Sequence, residues 1–536
     1  MVGSSVRFSL VDSALVGLAC WCGWLLMVTS IAAVRAGDSG ASVAYYVDQV
    51  SRDRHDYYAG HGEAPGVWHG AFAEHLGLSG YVAADDFRTV LDGRDPVSDE
   101  PLKPQPNRRV AAWDVTFSPP KSISALWALA PDDTRRDVRE AQAAAVDAAV
   151  DYLTDHACVA RLGRNGADRR DGAHLGFLRG DFTHRCSREG DPQLHVHSIL
   201  VNVLEASDGR RAALDGGLLF QHARAADGIY QAALRAELTR RLGVGWERRD
   251  EQWEIAGIPP GLCREWSKRR SQITAALVAR GLDPNTAWGR AAQTAALATR
   301  ERKIQVGDGR SLHHRFVREA FAAGYDARDV LEATLPPRLR RRRQQHTPPI
   351  ESSPRLLDSL TGPDGVTKRA SSFSRRDAVI DLAGRSAIHG TTAELAAARV
   401  NILVDRLLRD DRVVPVLVPA ARTTGELLRV RDATGRIIRT VDQSERRYTT
   451  ISLLTAETEL LHRASSRQHA ASLAFPTVSL TRSSQRTHAS TTTSRPWSVR
   501  SAPRAPASTW SSARPEPASP PRSAPTAPPS TPPSSL

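Results

Sequence analysis

The sequence predicts an α+β fold in which strands gather around a histidine cluster and helices cover one side. The segment LHVHSILV, residues 194–201, consists of β-branched, apolar and histidine residues and is typical of a strand. Residues 133–157 and 218–243 carry apolar positions at helical spacing and predict two long amphipathic helices. Strands around a site with helices on one side form the layered arrangement of an α+β domain.

The histidine cluster consists of His184, His195 and His197, which stand at i, i+11 and i+13. Side chains of a strand alternate between its two faces, so His195 and His197 project from the same face. The intervening SREGDPQ is rich in turn-forming residues and folds the strand carrying His184 back alongside. Three imidazoles on one face predict a metal site with an open position for a substrate oxygen. The alternative is a set of half-buried strand histidines.

The charge balance indicates a polyanionic partner. Among 536 residues, 72 are Lys or Arg and 59 are Asp or Glu, which gives a formal charge of +13. This excess favours nucleic acid over a membrane surface. The five cysteines form no CxxC pair, so neither a disulfide framework nor a cysteine zinc site is expected, and a reducing compartment is indicated.

The N-terminal segment from Ala14 to Val34 contains no charged residue. Its length suits a membrane span or a signal peptide. The alternative that we favour is translation from Met27, so that MVTSIAAVRAGDSG opens the protein as a first strand and residues 1–26 are an extension. This alternative agrees with a nucleic-acid partner and a cytoplasmic, reduced protein.

Two tyrosine doublets follow, Tyr45-Tyr46 and Tyr57-Tyr58, in a polar segment. Four of the nine tyrosines of the chain therefore lie close together. A tyrosine can attack phosphorus and hold a covalent phosphodiester. Its pKa of about 10 requires a nearby metal or base for activation at neutral pH. The alternative is a pair of core tyrosines on an amphipathic helix, which explains one member of each doublet more easily than two.

Four segments together resemble one known family. They are the tyrosine doublets, WHGAFAEHLGLSGYV, WDVTFSPPKSISALWAL and GDPQLHVHSILVN. In this order they resemble the MobF-type, TrwC- and TraI-like conjugative relaxases of the HUH superfamily, from about residue 29 to about residue 320. The resemblance implies an antiparallel sheet, called the palm, with covering helices and helical fingers that close on single-stranded DNA. It assigns residues 27–330 to a DNA-nicking domain.

The resemblance also implies roles for individual residues. Tyr45 matches the first nicking tyrosine and Tyr57 the tyrosine of a second transfer, with Tyr46 and Tyr58 as secondary candidates. The spacing between the doublets is longer than in the family, which weakens the match of Tyr57. The three histidines match the ligands of a divalent metal, either Mg²⁺, Mn²⁺ or Zn²⁺. Asp114 of WDVTFS matches an acidic residue beside them.

Asp114 and Lys121 are interpreted from their chemistry and position. A carboxylate beside a metal-bound histidine fixes the tautomer and orientation of the imidazole, and Asp114 is the candidate for that role. The alternative is a strand-edge aspartate. Lys121 follows a Pro-Pro turn at the expected start of a helix, where it is placed to meet a DNA phosphate. A solvated surface lysine is the alternative.

The remainder of the chain differs in composition. Residues 331–366 form a basic, proline-rich linker, and residues 367–464 resemble a small, mainly helical segment that leads into the helicase of full-length MobF relaxases. No lysine follows a glycine, so a Walker A motif is absent and no nucleotide binding is expected. From residue 465 to 536 a Ser, Thr, Pro, Ala and Arg composition predicts a disordered tail. A reading-frame shift near codon 464 is our hypothesis for this tail.

We therefore expect a metal-dependent enzyme that nicks one DNA strand at an origin of transfer and rejoins it through a 5′-phosphotyrosyl intermediate. The expected partners are single-stranded and hairpin DNA of the origin, with relaxosome accessory and coupling proteins. A rolling-circle replication initiator shares this chemistry and differs in its biological setting. A truncated protein that binds DNA without cutting it is the alternative from a different class.

Overall fold

The structure is a computed structural model. It describes residues 29–35, 37, 40, 46, 65–104, 110–163, 168–187, 189–249, 252–282, 309–336, 354–385, 390–416, 428–431, 437–441 and 446–473. The strands are β1 (Thr29–Arg35), β2 (Val67–His69), β3 (Val110–Phe117), β4 (Val159–Leu162), β5 (Asp168–Asp171), β6 (Arg179–Cys186), β7 (Pro192–Val201), β8 (Leu204–Glu205), β9 (Arg211–Leu214), β10 (Trp246–Arg249), β11 (Gln252–Ile255), β12 (Phe373–Ser374), β13 (Val413–Pro415), β14 (Leu428–Arg431), β15 (Ile437–Val441) and β16 (Arg447–Thr450).

The helices surround these strands and are numbered separately. They are α1 (Ala71–His75), α2 (Ala84–Leu91), α3 (Lys121–Leu129), α4 (Asp132–Ala157), α5 (Gly216–Leu242), α6 (Pro260–Glu265), α7 (Lys268–Val278), α8 (Gly309–Ala322), α9 (Ala327–Thr334), α10 (Pro354–Thr361), α11 (Arg375–Arg385), α12 (Ala393–Leu408) and α13 (Ile451–Leu473). The α+β class predicted from the sequence is confirmed.

The central sheet has the strand order β1-β3-β7-β6-β2, and every neighbouring pair is antiparallel. Side chains alternate between the two faces along β7 and therefore belong to two separate hydrophobic cores. Ile199 and Val201 belong to a core with Phe72 of α1 and Phe87 of α2. Residues of the opposite face of the sheet join a larger core with α4 and α5: Val115, Phe117, Leu194, Val196 and Leu200. The sheet is therefore packed on both faces.

The long helix α5 anchors several parts of the fold. The side chain of Asp215 caps its N-terminus by accepting a hydrogen bond from the Gly217 amide over 3.1 Å. Gly243 ends it with a φ of 67°, the left-handed conformation that glycine adopts without strain. Within the helix, the buried Asp227 accepts a hydrogen bond of 2.8 Å from the hydroxyl of Thr29 at the start of β1. The first strand is thereby tied to the covering layer.

Three further sheets occur among the described residues. One has the order β15-β14-β5-β4-β9-β8, another is the hairpin β10-β11, and a third has the order β12-β16-β13. The hairpin lies beside α11, because the indole Nε1 of Trp253 donates a hydrogen bond of 2.7 Å to the carbonyl of Gly384.

Helices α11 and α12 pack against α5 and belong to its core. The guanidinium of Arg235 donates to the carbonyl of Ala383 over 2.6 Å. The amide of Ala393, at the start of α12, donates to the carboxylate of Glu237 over 3.0 Å. The domain boundaries that the sequence places at residues 330 and 366 stay predictions. The packing nevertheless joins helices α11 and α12 to the core of the preceding part of the chain.

The two ends of the chain lie largely outside the described residues. Strand β1 (Thr29–Arg35) contains the last residues of the apolar N-terminal segment, and translation from Met27 stays a prediction. Where the chain is described, no helix has both the length and the apolar character that a membrane crossing requires. Helix α13 continues to Leu473, past the predicted start of the tail at residue 465, and residues 474–536 are not among those described.

A glycine before β2 gives a test of the packing around Phe182. A Cβ on Gly66 would lie 2.4 Å from Cε1 of Phe182, whose ring is buried and stands 5.0 Å from the ring of Phe87. We expect Gly66→Ala to lower the free energy of unfolding by about 1–3 kcal/mol through overpacking, measured by urea denaturation. Gly384→Ala is the control, because no atom lies within 4 Å of its Cβ position. Equal stability of the two variants would contradict this packing.

Candidate metal centre

The three histidines predicted as metal ligands lie on the neighbouring strands β6 and β7. His184 stands directly opposite His195 in the antiparallel pair, and His197 follows two residues later on the same face. The ring centroids are 4.9 to 5.3 Å apart. One ligand nitrogen from each ring lies within 4.8 Å of the other two. The predicted convergence of three imidazoles is present, and their function as ligands stays a prediction.

The chemistry of this donor set suits a borderline transition metal. His184 and His197 are buried and His195 is half-buried. Nδ1 of His195 lies 2.9 Å from the carbonyl oxygen of Gln193, which leaves Nε2 as the nitrogen that points to a ligand. Imidazole nitrogens suit Zn²⁺ and its neighbours in the first transition row, whereas Mg²⁺ prefers oxygen ligands. The residues present therefore fit a divalent metal, most readily zinc among the three that the sequence suggested.

Asp114, on β3, holds the third histidine. Its Oδ2 and Oδ1 lie 2.9 and 3.0 Å from Nδ1 of His197, and Thr116 Oγ1 donates to Oδ1 over 3.0 Å. Burial acts to raise the pKa of Asp114, but the charge of a protonated His197 and three side-chain hydrogen bonds outweigh burial and lower it. An ionised carboxylate on Nδ1 directs Nε2 of His197 toward the other two rings.

The structure adds Tyr46 to the site. Its hydroxyl donates a hydrogen bond of 2.7 Å to Asp114 Oδ2, and only 6% of the residue is exposed. Its ring lies 5.4 Å from those of Phe182 and His197. The sequence suggested Tyr46 only as a secondary candidate, because the doublet does not reveal which ring points inward. In the sequence, the only indication that Tyr46 belongs to the site is the rarity of such a tyrosine doublet.

The remaining tyrosines of the two doublets, Tyr45, Tyr57 and Tyr58, lie outside the described residues. Their catalytic functions stay predictions.

The sequence suggested two environments for Lys121, beside a DNA phosphate or on the solvated surface. The neighbours of Lys121 in the structure differ from both. It is the first residue of α3, and its Nζ donates a hydrogen bond of 2.9 Å to the carbonyl of Pro192, where β7 begins. Burial lowers the pKa of this amine, against the opposing effect of Asp191 and other acidic neighbours. In this structure Lys121 fastens β7 to α3, and contact with a DNA phosphate stays a prediction.

A second group of potential ligands was not anticipated from the sequence. His69, Asp147 and Asp181 each offer one atom within 4.8 Å of the others. The buried Arg179 donates to both carboxylates, at 2.9 Å for Asp147 and in a two-pronged contact with Asp181. These charge-assisted bonds already balance the two negative charges, so the group is accounted for as an ion-pair cluster.

Comparison with known proteins identifies the family. The family model described as TrwC relaxase matches residues 39–323, which is more than half of the chain. The chain belongs to the TrwC relaxase family. This finding confirms the resemblance to MobF-type relaxases that the tyrosine doublets and the histidine motif indicated.

Two curated relatives carry the name multifunctional conjugation protein TraI. The TraI protein of Escherichia coli is 27% identical over 390 residues, which cover 69% of this chain and 20% of that protein. The TraI protein of Escherichia coli strain K12 is 30% identical over 249 residues, which cover 43% of this chain and 13% of that protein. The chain therefore spans a fifth or less of the length of these relatives.

Solved structures of the conjugative relaxase TrwC in complex with oriT DNA are similar to this chain. The metal-bound structure is 29% identical, covers 56% of this chain and 99% of that chain, and has a TM-score of 0.48. The metal-free structure has the same identity and coverage and a TM-score of 0.47.

The carboxylate of this relaxase gives a test of the metal centre. We expect Asp114→Asn to weaken Zn²⁺ binding by about 10–100-fold, because the imidazole of His197 loses the charged acceptor that orients it. Isothermal titration calorimetry at neutral pH measures the affinity. Asp85→Asn is the control, since that carboxylate is 93% exposed on α2. Wild-type affinity in Asp114→Asn would show that the carboxylate does not orient a ligand.

Proposed function

We propose that this relaxase is a metal-dependent enzyme that nicks one DNA strand at a specific site of an origin of transfer and transfers it through a 5′-phosphotyrosyl intermediate. The proposal is based on one observation: the imidazoles of the three histidines, the carboxylate of Asp114 and the hydroxyl of Tyr46 lie in a single site. Membership of the TrwC relaxase family supports it.

The histidines His184, His195 and His197 would hold the divalent metal. A bound metal would supply Lewis-acid polarisation of a phosphate oxygen, which would stabilise the negative charge on the non-bridging oxygens of the transition state. Asp114 keeps the imidazole of His197 in the tautomer that presents Nε2, and Thr116, 3.1 Å from Nδ1, supports the same orientation. No water needs to be activated, since the nucleophile belongs to the chain.

Tyr45 is the proposed nucleophile. Its phenolic oxygen forms a bond to phosphorus, its proton passes to a base or to solvent, and the bond from phosphorus to the 3′ oxygen breaks. The released 3′ oxygen takes a proton, so the products are a 5′-phosphotyrosyl protein and a free 3′-OH. One phosphodiester replaces another, and the reaction is therefore reversible. Tyr57 is proposed for a second transfer of the same kind, with Tyr58 as an alternative to it.

Tyr46 is proposed as the anchor of the nucleophile. Its hydroxyl is occupied by Asp114 and its ring is enclosed by Phe87, Phe182 and His197, so attack by Tyr46 itself would require this packing to open. Holding one member of the doublet restricts the positions that its neighbour can take. Such preorganisation replaces part of the entropy cost of bringing a nucleophile to phosphorus.

The proposed substrate is single-stranded and hairpin DNA of an origin of transfer. The formal charge of +13 supports a polyanionic substrate, and the curated relatives are named as conjugation proteins. Accessory proteins of the relaxosome and a coupling protein are the proposed partners, and the bacterial cytoplasm is the proposed location. Nucleotide binding and helicase activity are not expected, because a glycine-lysine pair is absent from the sequence.

Covalent adduct formation tests the function and separates the two tyrosines of the first doublet. The substrate is a supercoiled plasmid that carries the candidate origin, with Mn²⁺ or Zn²⁺ added, and the adduct is detected by denaturing gel electrophoresis. We expect Tyr45→Phe to abolish the adduct. We expect Tyr46→Phe to keep it and to form it about 10–100-fold more slowly, because Asp114 loses one hydrogen-bond donor.

Tyr81→Phe is the control, since this tyrosine is 48% exposed and lies outside the site. It should form the adduct at the wild-type rate. An adduct of normal yield in Tyr45→Phe would refute the assigned nucleophile. Complete absence of an adduct in the wild-type protein on an origin that the protein binds would favour a non-catalytic DNA-binding protein.

A further inference from the structure

The turn between β6 and β7 contains a buried carboxylate that the proposed reaction does not use. Asp191 is 1% exposed and lies four residues before His195. The turn closes through its own hydrogen bonds, from the Ser187 amide to the Asp191 carbonyl over 2.9 Å and from the Asp191 amide to the Ser187 hydroxyl over 3.1 Å. These two bonds use only the backbone of Asp191, and its side chain contacts a neighbouring helix.

The partner of this carboxylate is helix α7. Oδ2 of Asp191 accepts a hydrogen bond of 2.9 Å from the backbone amide of Lys268, the first residue of the helix. The ammonium of Lys268 lies 3.1 Å from Oδ1. The residue before the helix, Ser267, makes no capping bond with its side chain. Asp191 thus supplies the N-terminal cap of α7 from a distant part of the chain, where its negative charge also favours the positive end of the helix dipole.

Two more helices hold the same turn. Nζ of Lys121, on α3, donates to the carbonyl of Pro192, and the guanidinium of Arg315, on α8, donates to the carbonyl of Gly190. The amide of Leu194 donates to the hydroxyl of Ser124, again on α3, over 3.1 Å. The start of β7 is consequently fixed by contacts on several sides. Among these contacts, the one with α7 is made by a buried carboxylate, Asp191.

We propose that Asp191 is a positioning residue that couples the docking of α7 to the geometry of the metal-binding histidines. The inference rests on the proposed function, in which those histidines hold a divalent metal. If α7 moves away, a buried carboxylate loses its partners, so the turn must rearrange as well. The turn sets where β7 begins and hence where His195 and His197 lie. The coupling is reciprocal, so a metal that fixes β7 also restrains α7.

Hydrogen exchange of the full chain, measured by mass spectrometry with and without saturating Zn²⁺, tests the coupling. In the wild-type protein we expect Zn²⁺ to slow exchange in the peptide that spans Lys268–Val278 by about 5-fold or more. In Asp191→Ala this protection should be lost, and Zn²⁺ affinity by calorimetry should fall by a similar factor. Asp191→Asn keeps an acceptor oxygen for the Lys268 amide and removes the charge, so it should show intermediate protection.

Asp326→Ala is the matched control, because Asp326 caps α9 through the amides of Arg328 and Asp329 and lies in another helix connection. It should raise exchange in α9 and leave the response of α7 to Zn²⁺ unchanged. Zn²⁺ binding to the wild-type protein without protection of α7, or full protection in Asp191→Ala and Asp191→Asn, would overturn the coupling and leave the proposed function standing. Failure of the wild-type protein to bind Zn²⁺ would overturn both.

Discussion

The hydrogen-bonded carboxylate of Asp114 is the interaction on which the site depends. A buried carboxylate is costly unless it is paired, and here its partners come from three separate segments: Tyr46 from the N-terminal region, Thr116 from the same strand and His197 from β7. The carboxylate of Asp114 therefore contacts both Tyr46 and the strand that carries His195 and His197. The antiparallel sheet makes this possible, because Thr116 and His197 are cross-strand neighbours.

The two faces of the central sheet have different roles. One face carries the three histidines and the aromatic cluster around Phe182, while the other packs on the long helices α4 and α5. Close packing behind the histidines supports the strands that carry them, and such support is what a preorganised site requires. The proposed chemistry depends on this support, because a tyrosine of the chain and the bound phosphate must be held in a defined relative position.

The sequence predicted the histidine cluster more reliably than its surroundings. Alternation in LHVH places His195 and His197 on one face by geometry alone, whereas Asp114 was indicated mainly by family resemblance. The bond from Tyr46 to Asp114 spans 68 residues, and neither local pattern nor spacing encodes such a tertiary contact. Lys121 shows the same limitation: its position at a helix start could be predicted from the sequence, but its hydrogen bond to the carbonyl of Pro192 could not.

X-ray absorption spectroscopy of the zinc-loaded protein tests the central claim most directly. Three imidazoles on one sheet face predict a coordination shell with three histidine nitrogens at about 2.0–2.1 Å and one further light ligand. Replacing His184 by alanine should reduce that imidazole count or abolish binding. A shell of thiolate or oxygen ligands, or a spectrum unchanged in His184→Ala, would contradict the metal centre described for β6 and β7.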